Sequence, residues 1–314
     1  MKTIFNKDGN GTEELVEALG MIDSATDFSK WKPYIPLSIR RLTAIIGPEV
    51  YDKTLEFYYS TGQDSEDESL KTLLLMMQQS IALFTWLKII PTLDAQHGNT
   101  GRQKRLGENE KGLTAVQEYK DETNILNLAY ESVDALIAFL DKEKFNFWLN
   151  SEKKKAINQL LIRSKEQFDT YYMIGSHRLF LTLAPIVREM QDRYVIPIIT
   201  RVKYEDLLSG NEPKEGLMDA VCRPLALLTM QKAIERLPVE VLPDGVIQVQ
   251  QVGTVKEKIR AEAEARKIVS KNLGDDAGKD LVSLQDFIAE MEAEPDEPDL
   301  YLPKVSLQSK GITF

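Results

Sequence analysis

The residues best spaced to hold an ion lie at the start of the chain, in "NKDGNGTEELVE" from Asn6 to Glu17. Asn6, Asp8, Asn10, Gly11 and Glu17 fall at loop positions 1, 3, 5, 6 and 12 of the EF-hand pattern that wraps Ca²⁺. In that pattern oxygen side chains ligate, Gly makes the sharp turn and the last Glu closes the site with both carboxylate oxygens. Three features oppose it: Asn replaces the usual first Asp, Glu13 stands where an apolar residue normally pairs with a second loop, and five residues leave no room for an entering helix. A Gly/Asn/Asp turn followed by Thr12 as N-cap of a short helix ending at Gly20 explains the same residues. Asn6, Asp8, Asn10 and Glu17 therefore stand only as an alternative metal site, and no metal or cofactor is expected.

Other chemistry is thinly provided. The chain has no G-x-S-x-G, no Walker loop, no G-x-G-x-x-G and no H-E-x-x-H. His97 lies in the polar turn "DAQHGNTG"; His177, in "GSHRLF", sits at a helix start that Ser176 can cap; Cys222 lies in an apolar stretch and reads as a small core residue. The chain is expected not to be an enzyme. Arg102, Lys104 and Arg105, in "RQKR", form a short basic loop that can touch a DNA backbone or meet an acidic neighbour such as "AEPDEPD". The net charge of −10 favours the acidic neighbour. Trp31, Trp86 and Trp148 lie within apolar periodicity and are expected in the core.

With 314 residues, 43% of them hydrophobic, the chain can bury one or two cores. A single cysteine excludes an internal disulfide framework. The N-terminus lacks the apolar region of a signal peptide, and no continuous apolar run reaches the ~18 residues of a membrane span, so residence in a cytoplasm or in a particle assembled there is expected, away from membranes.

The elements that would carry these residues are helical from Thr12 to about Leu237. Val116, Tyr119, Thr123, Leu126, Tyr130, Val133, Ile137 and Leu140 recur at alternating steps of three and four, a heptad seam on one long helix over 112–144. Ile157, Leu161, Ser164, Phe168 and Tyr171 share a face of a second helix over 151–173, so the two read as an αα-hairpin joined near "FNFWLN". On either side, two stretches resemble each other: "FSKWKP" and "FLTLAP", "IIGPEVYDKTL" and "IITRVKYEDLL", "IALFTWLKIIP" and "LALLTMQKAIERLP". These align Tyr51 with Tyr204, Ala82 with Ala226 and Thr85 with Thr229, and suggest a duplicated unit.

Beyond it, "VEVLPDGVIQVQQV" alternates around Pro243-Asp244-Gly245 as a β-hairpin does. Two helices with capping boxes at Thr254/Glu257 and Ser283/Asp286 follow, the first an exposed strut. In the final "LYLPKVSLQSKGITF", Tyr301, Leu302, Val305, Leu307, Ile312 and Phe314 supply strand-like apolar contacts for another subunit. The expected fold is mainly α: a duplicated helical unit around a central αα-hairpin, a small β-hairpin and an extended C-terminal arm. Its parts are 1–110 (first copy), 111–173 (hairpin), 174–251 (second copy with the β-hairpin) and 252–314 (arm).

The succession "TEELVEALGMIDSATDFSKWKPYIPLSIRRLTAIIGPEVYDKTLEFY", the hairpin, "FLTLAPIVREMQDRYVIPII" and "PLALLTMQKAIERLPVEVLPDGV" resembles a protein family of Bacteroidetes phages and prophages whose members act near the head-to-tail neck. The resemblance covers about residues 12 to 250. It implies a virion structural protein, an α-helical connector or adaptor forming a homo-oligomeric ring between portal and tail proteins. Genome DNA would pass through such a ring without specific binding. The alternatives are a tail-terminator or other tail-side ring protein and, from another class, a cytoplasmic helical scaffold or regulatory protein.

Overall fold

A computed structural model describes residues 2–60, 67–93, 95–98, 101–104, 112–238 and 255–293. Its elements are α1 (Gly11–Leu19), α2 (Phe28–Trp31), α3 (Ile35–Ile46), α4 (Pro48–Ser60), α5 (Glu68–Leu93), β1 (Ala95–Gly98), β2 (Gly101–Lys104), α6 (Ala115–Glu143), α7 (Asn146–Leu149), α8 (Glu152–Ile157), α9 (Lys165–Asp169), α10 (His177–Met190), a π-helical turn (Gln191–Val195), α11 (Ile196–Ser209), α12 (Leu217–Arg236) and α13 (Val255–Glu292). The fold is mainly α, and two apolar cores organise it. One gathers buried residues from Ile4 to Trp148, the other from Ile157 to Ile288.

The first core is built around α5. This helix is apolar over most of its circumference, and α1, α2, α3, α4 and α6 pack against it. By length and composition α5 would also suffice to cross a membrane, but most of its apolar stretch is covered by these neighbours. Its Trp86 stacks on the buried Trp31 with ring centroids 5.3 Å apart. The β1–β2 ribbon, antiparallel with His97 opposite Arg102, returns the chain to α6. That ribbon occupies what the sequence suggested was a polar turn.

Two helix pairings differ from expectation. α6 packs against the preceding α5, and the stretch expected as its partner, 151–173, is broken into α8, a turn and α9. The reason is the run Leu160-Leu161-Ile162, all buried: a surface helix cannot turn three consecutive residues inward, whereas a compact turn can. The turn's backbone is held by side chains. Gln191 accepts from Leu161 N at 3.1 Å and donates to Gln159 O at 3.0 Å, and Tyr204 Oη donates to the same carbonyl at 2.7 Å. Ser164 then starts α9 by accepting from Gln167 N at 3.2 Å.

The second correction concerns the C-terminal arm. Residues 255–292 form one continuous helix, with no break at Ser283, whose hydroxyl bonds back to Lys279 O at 3.2 Å. Ala277, Leu284 and Ile288 are buried against α12, with Val269, Leu273, Leu281 and Met291 partly buried beside them. Steps of three and four residues place all of these on one stripe. Burial of Leu284 and Ile288 is worth about 1.5–3 kcal/mol each, enough to make this helix part of the body rather than a strut. Close approach is allowed at Gly274, where a Cβ would lie 2.5 Å from the Gln231 side chain of α12. The expected β-hairpin at 239–251 and the final strand lie outside the described residues.

The order of elements repeats. In the first half α3 ends at the pair Ile45-Ile46 and α4 follows, in the second α11 is kinked just after the pair Ile198-Ile199, and in each half a long apolar helix then packs against a longer one, α5 on α6 and α12 on α13. The residue after each pair has the same unusual backbone, Gly47 at φ 92°, ψ 150° and Thr200 at φ 73°, ψ 160°. Ala82 and Ala226 are fully buried, and Thr85 and Thr229 each donate to the carbonyl four residues back at 2.7 Å.

Only glycine adopts that φ/ψ region without a cost of about 1–3 kcal/mol, so Thr200 is strained and Gly47 is not. Thr200→Gly is expected to raise stability by about 1 kcal/mol after the added backbone entropy of glycine is subtracted. Gly47→Ala should lower it, because its Cβ would also lie 2.6 Å from Glu49 Oε2. Urea unfolding of the two variants checks the opposite signs.

Candidate interaction surface

The N-terminal loop is closed by its own side chains. Asn6, at φ 63°, accepts from Gly11 N through Oδ1 at 2.9 Å, so the atom a calcium ion would need is already used. The carboxylate that turns inward is Glu14, not Glu17. Glu14 Oε2 accepts from Asn6 N at 2.5 Å and Oε1 accepts from Tyr58 Oη at 2.7 Å, while Lys7 N donates to Tyr58 Oη at 2.8 Å. Asp8 and Glu17 are exposed. Among the described residues no group of three or more His, Cys, Asp or Glu is placed to hold a metal. Gly11 is required for a different reason than a metal loop's turn: a Cβ there would lie 2.6 Å from the Phe28 ring. The helix begins at Gly11 rather than after Thr12, whose hydroxyl donates to Thr26 O at 3.1 Å, and it stops at Gly20 in the left-handed region.

The remaining reactive groups serve the fold. Burial pushes the Cys222 thiol up to about 12, which leaves no thiolate at neutral pH, and its sulfur lies 3.6 Å from Gln167 Nε2 and from Met218 Sδ. His177 opens α10, with Ser176 accepting from Leu179 N at 3.0 Å and Glu166 3.5 Å from His177 Nε2. Arg102 and Lys104 lie on β2; Arg105 and the C-terminal Tyr301, Leu302, Val305, Leu307, Ile312 and Phe314 lie outside the described residues.

A polar cluster that sequence spacing did not reveal joins the two cores. Asp134 of α6 accepts from Ser176 Oγ at 3.0 Å and Arg178 N at 2.6 Å. The Arg178 guanidinium lies 3.9 Å from the Tyr130 ring centroid. Arg41 of α3 donates to Tyr130 Oη at 2.7 Å while lying 4.3 Å over the Phe84 ring. Tyr130 was legible as a member of the α6 seam. Its arginine partners come from distant segments whose local patterns carry no sign of the contact.

The feature most suited to recognition is the start of α6. A capping box fixes it, with Thr114 N donating to Gln117 Oε1 at 3.0 Å and Gln117 N to Thr114 Oγ1 at 3.4 Å. From Ile125 onward the helix is buried against the first core through Ala129, Val133, Leu136, Ile137 and Leu140. The preceding turns carry the same heptad seam but leave it open: Val116 is 65% and Tyr119 70% exposed, and Leu113 just before the cap is 53% exposed. Scattered apolar residues are ordinary on a surface; here Leu113, Val116 and Tyr119 lie close together at one capped helix start, which makes it the candidate contact face.

A family model described as Family of unknown function (DUF6712) matches residues 42–158 and 189–293. The first stretch runs from the end of α3 through α8, and the second from the end of α10 through α13. No curated protein matches the chain, and no solved structure does.

Proposed function

We propose that this chain, which belongs to the DUF6712 family, is a virion structural subunit: a connector or adaptor that forms a homo-oligomeric ring between the portal and tail of a phage. The observation that carries the reading is the open half of the α6 seam, where Val116 and Tyr119 continue the heptad spacing of the buried half and Leu113 is exposed just ahead of them. A stiff helical body sets the angle between neighbours, and one exposed face meeting a different face of the next copy repeats around an axis until it closes. The resemblance of residues 12 to 250 to phage neck proteins supports the position in the particle. The net charge of −10 suits a passage through which DNA slides without adhering. In this reading the chain acts by assembly and turns over no substrate, and it resides in the virion after assembly in the host cytoplasm.

Analytical ultracentrifugation of the full chain tests it. The wild type is expected as a defined oligomer, and Val116→Asp with Tyr119→Asp is expected to shift most of the material to the 35.7 kDa monomer with unchanged helical circular dichroism. A wild-type chain that stays monomeric over the micromolar range, or virions that lack the chain, would overturn the proposal.

A further inference from the structure

A second surface carries an inference about how one copy engages the next, and it rests on the ring reading above. Beside the N-terminal loop lies a cleft of about 460 Å³, lined chiefly by Lys2, Phe5, Phe28, Lys32, Ile35 and Tyr59. In a chain with a net charge of −10, the charged residues that line this cleft, among the described residues, are Lys2 and Lys32. Lys2 Nζ lies 4.8 Å from the Tyr59 ring centroid, and neither Lys2 nor Lys32 forms an ion pair with a carboxylate among the described residues. Aromatic walls with unneutralised ammonium groups select a ligand that is acidic at one point and apolar at the next.

We propose that this cleft receives the segment Glu294–Pro303 of a neighbouring copy. That segment reads "EPDEPDLYLP": four carboxylates, Glu294, Asp296, Glu297 and Asp299, directly followed by Leu300, Tyr301 and Leu302. The carboxylates complement the lysines and the Leu-Tyr-Leu run complements the aromatic walls. Position favours a neighbour as the donor. The segment leaves from the end of α13, whose contacts are with α11 and α12 of the second half, whereas the cleft belongs to α2, α3 and α4 of the first half. A tail at one half and a receptor at the other is the head-to-tail arrangement that builds a ring.

Disulfide trapping between full-length chains tests the assignment, with the buried Cys222 silent as background. One chain carries Thr3→Cys at the cleft, the other Leu300→Cys in the tail, and the two are mixed and oxidised. A cross-linked species of twice the chain mass is expected. It should be lost when the cleft chain also carries Lys2→Glu and Lys32→Glu, and it should not form when the cleft cysteine is replaced by Val202→Cys on α11. If the chain assembles but the mixture gives no cross-link, the cleft assignment falls and the ring reading stands. A Thr3→Cys, Leu300→Cys double variant that closes only within one chain would overturn the neighbour as donor. A chain that neither cross-links nor assembles defeats both.

Discussion

Trp148→Ala is expected to lower the unfolding free energy by about 4 kcal/mol, a large share of the 5–15 kcal/mol available to an ordinary domain. Trp148 is fully buried in α7, where the chain leaves α6 for the second half. Its removal opens the largest kind of cavity a single substitution makes. It also deletes the hydrogen bond from Nε1 to Asp141 Oδ1 at 2.7 Å, although Asp141 keeps Lys154 Nζ at 2.5 Å. The two losses are separable. Trp148→Phe retains most of the volume and forfeits the indole N–H, so it should cost about 1–2 kcal/mol. Urea titrations of the two variants check the ordering. An alanine variant within 1 kcal/mol of wild type would mean that the 144–151 connection does not anchor the fold.

Glu14→Ala is expected to cost about 1–3 kcal/mol, because it leaves the buried Tyr58 Oη without its acceptor, an orphaned buried donor costing about that much, and also releases the partly exposed Asn6 N. The same residue gives a pH signature. Burial raises the Glu14 carboxyl above its ordinary value of 4.5, against the opposing pull of the hydrogen bonds from Asn6 and Tyr58. A raised carboxyl pKa means the folded state binds the proton more tightly than the unfolded chain. Its contribution is therefore complete below 4.5 and is lost as the pH rises through the higher folded value. Wild-type stability measured relative to Glu14→Gln should fall across that interval and level off above it. A difference that grows with pH there would show that the hydrogen bonds outweigh burial.

Local signals in the sequence survived wherever the structure is governed by neighbours in the chain. Ser176 caps α10, Gly20 stops α1, and Trp31 and Trp148 are in the core. What failed was the choice of partner. Val116 to Leu140 announces a helix with an apolar stripe, but periodicity alone does not say that α5 rather than 151–173 covers it. The apolar stripe from Val269 to Met291 was present in the sequence too. It was obscured by the charged "EKIRAEAEARK" ahead of it and by Ser283 and Asp286, which fit a cap but sit on an unbroken helix. The loop at Asn6 fits two patterns at once: oxygen-bearing side chains at metal spacing are also what a tight turn needs to satisfy its own amides.

The connection between the two halves is tied down by side chains: Asp134 of α6 accepts from Ser176 Oγ and Arg178 N at the start of α10, and the Arg178 guanidinium lies over the Tyr130 ring of α6. A connector tied down in this way leaves little freedom for a hinge. Torque applied to one half is handed on to the other rather than absorbed between them, so the molecule is built to behave as a single strut under force.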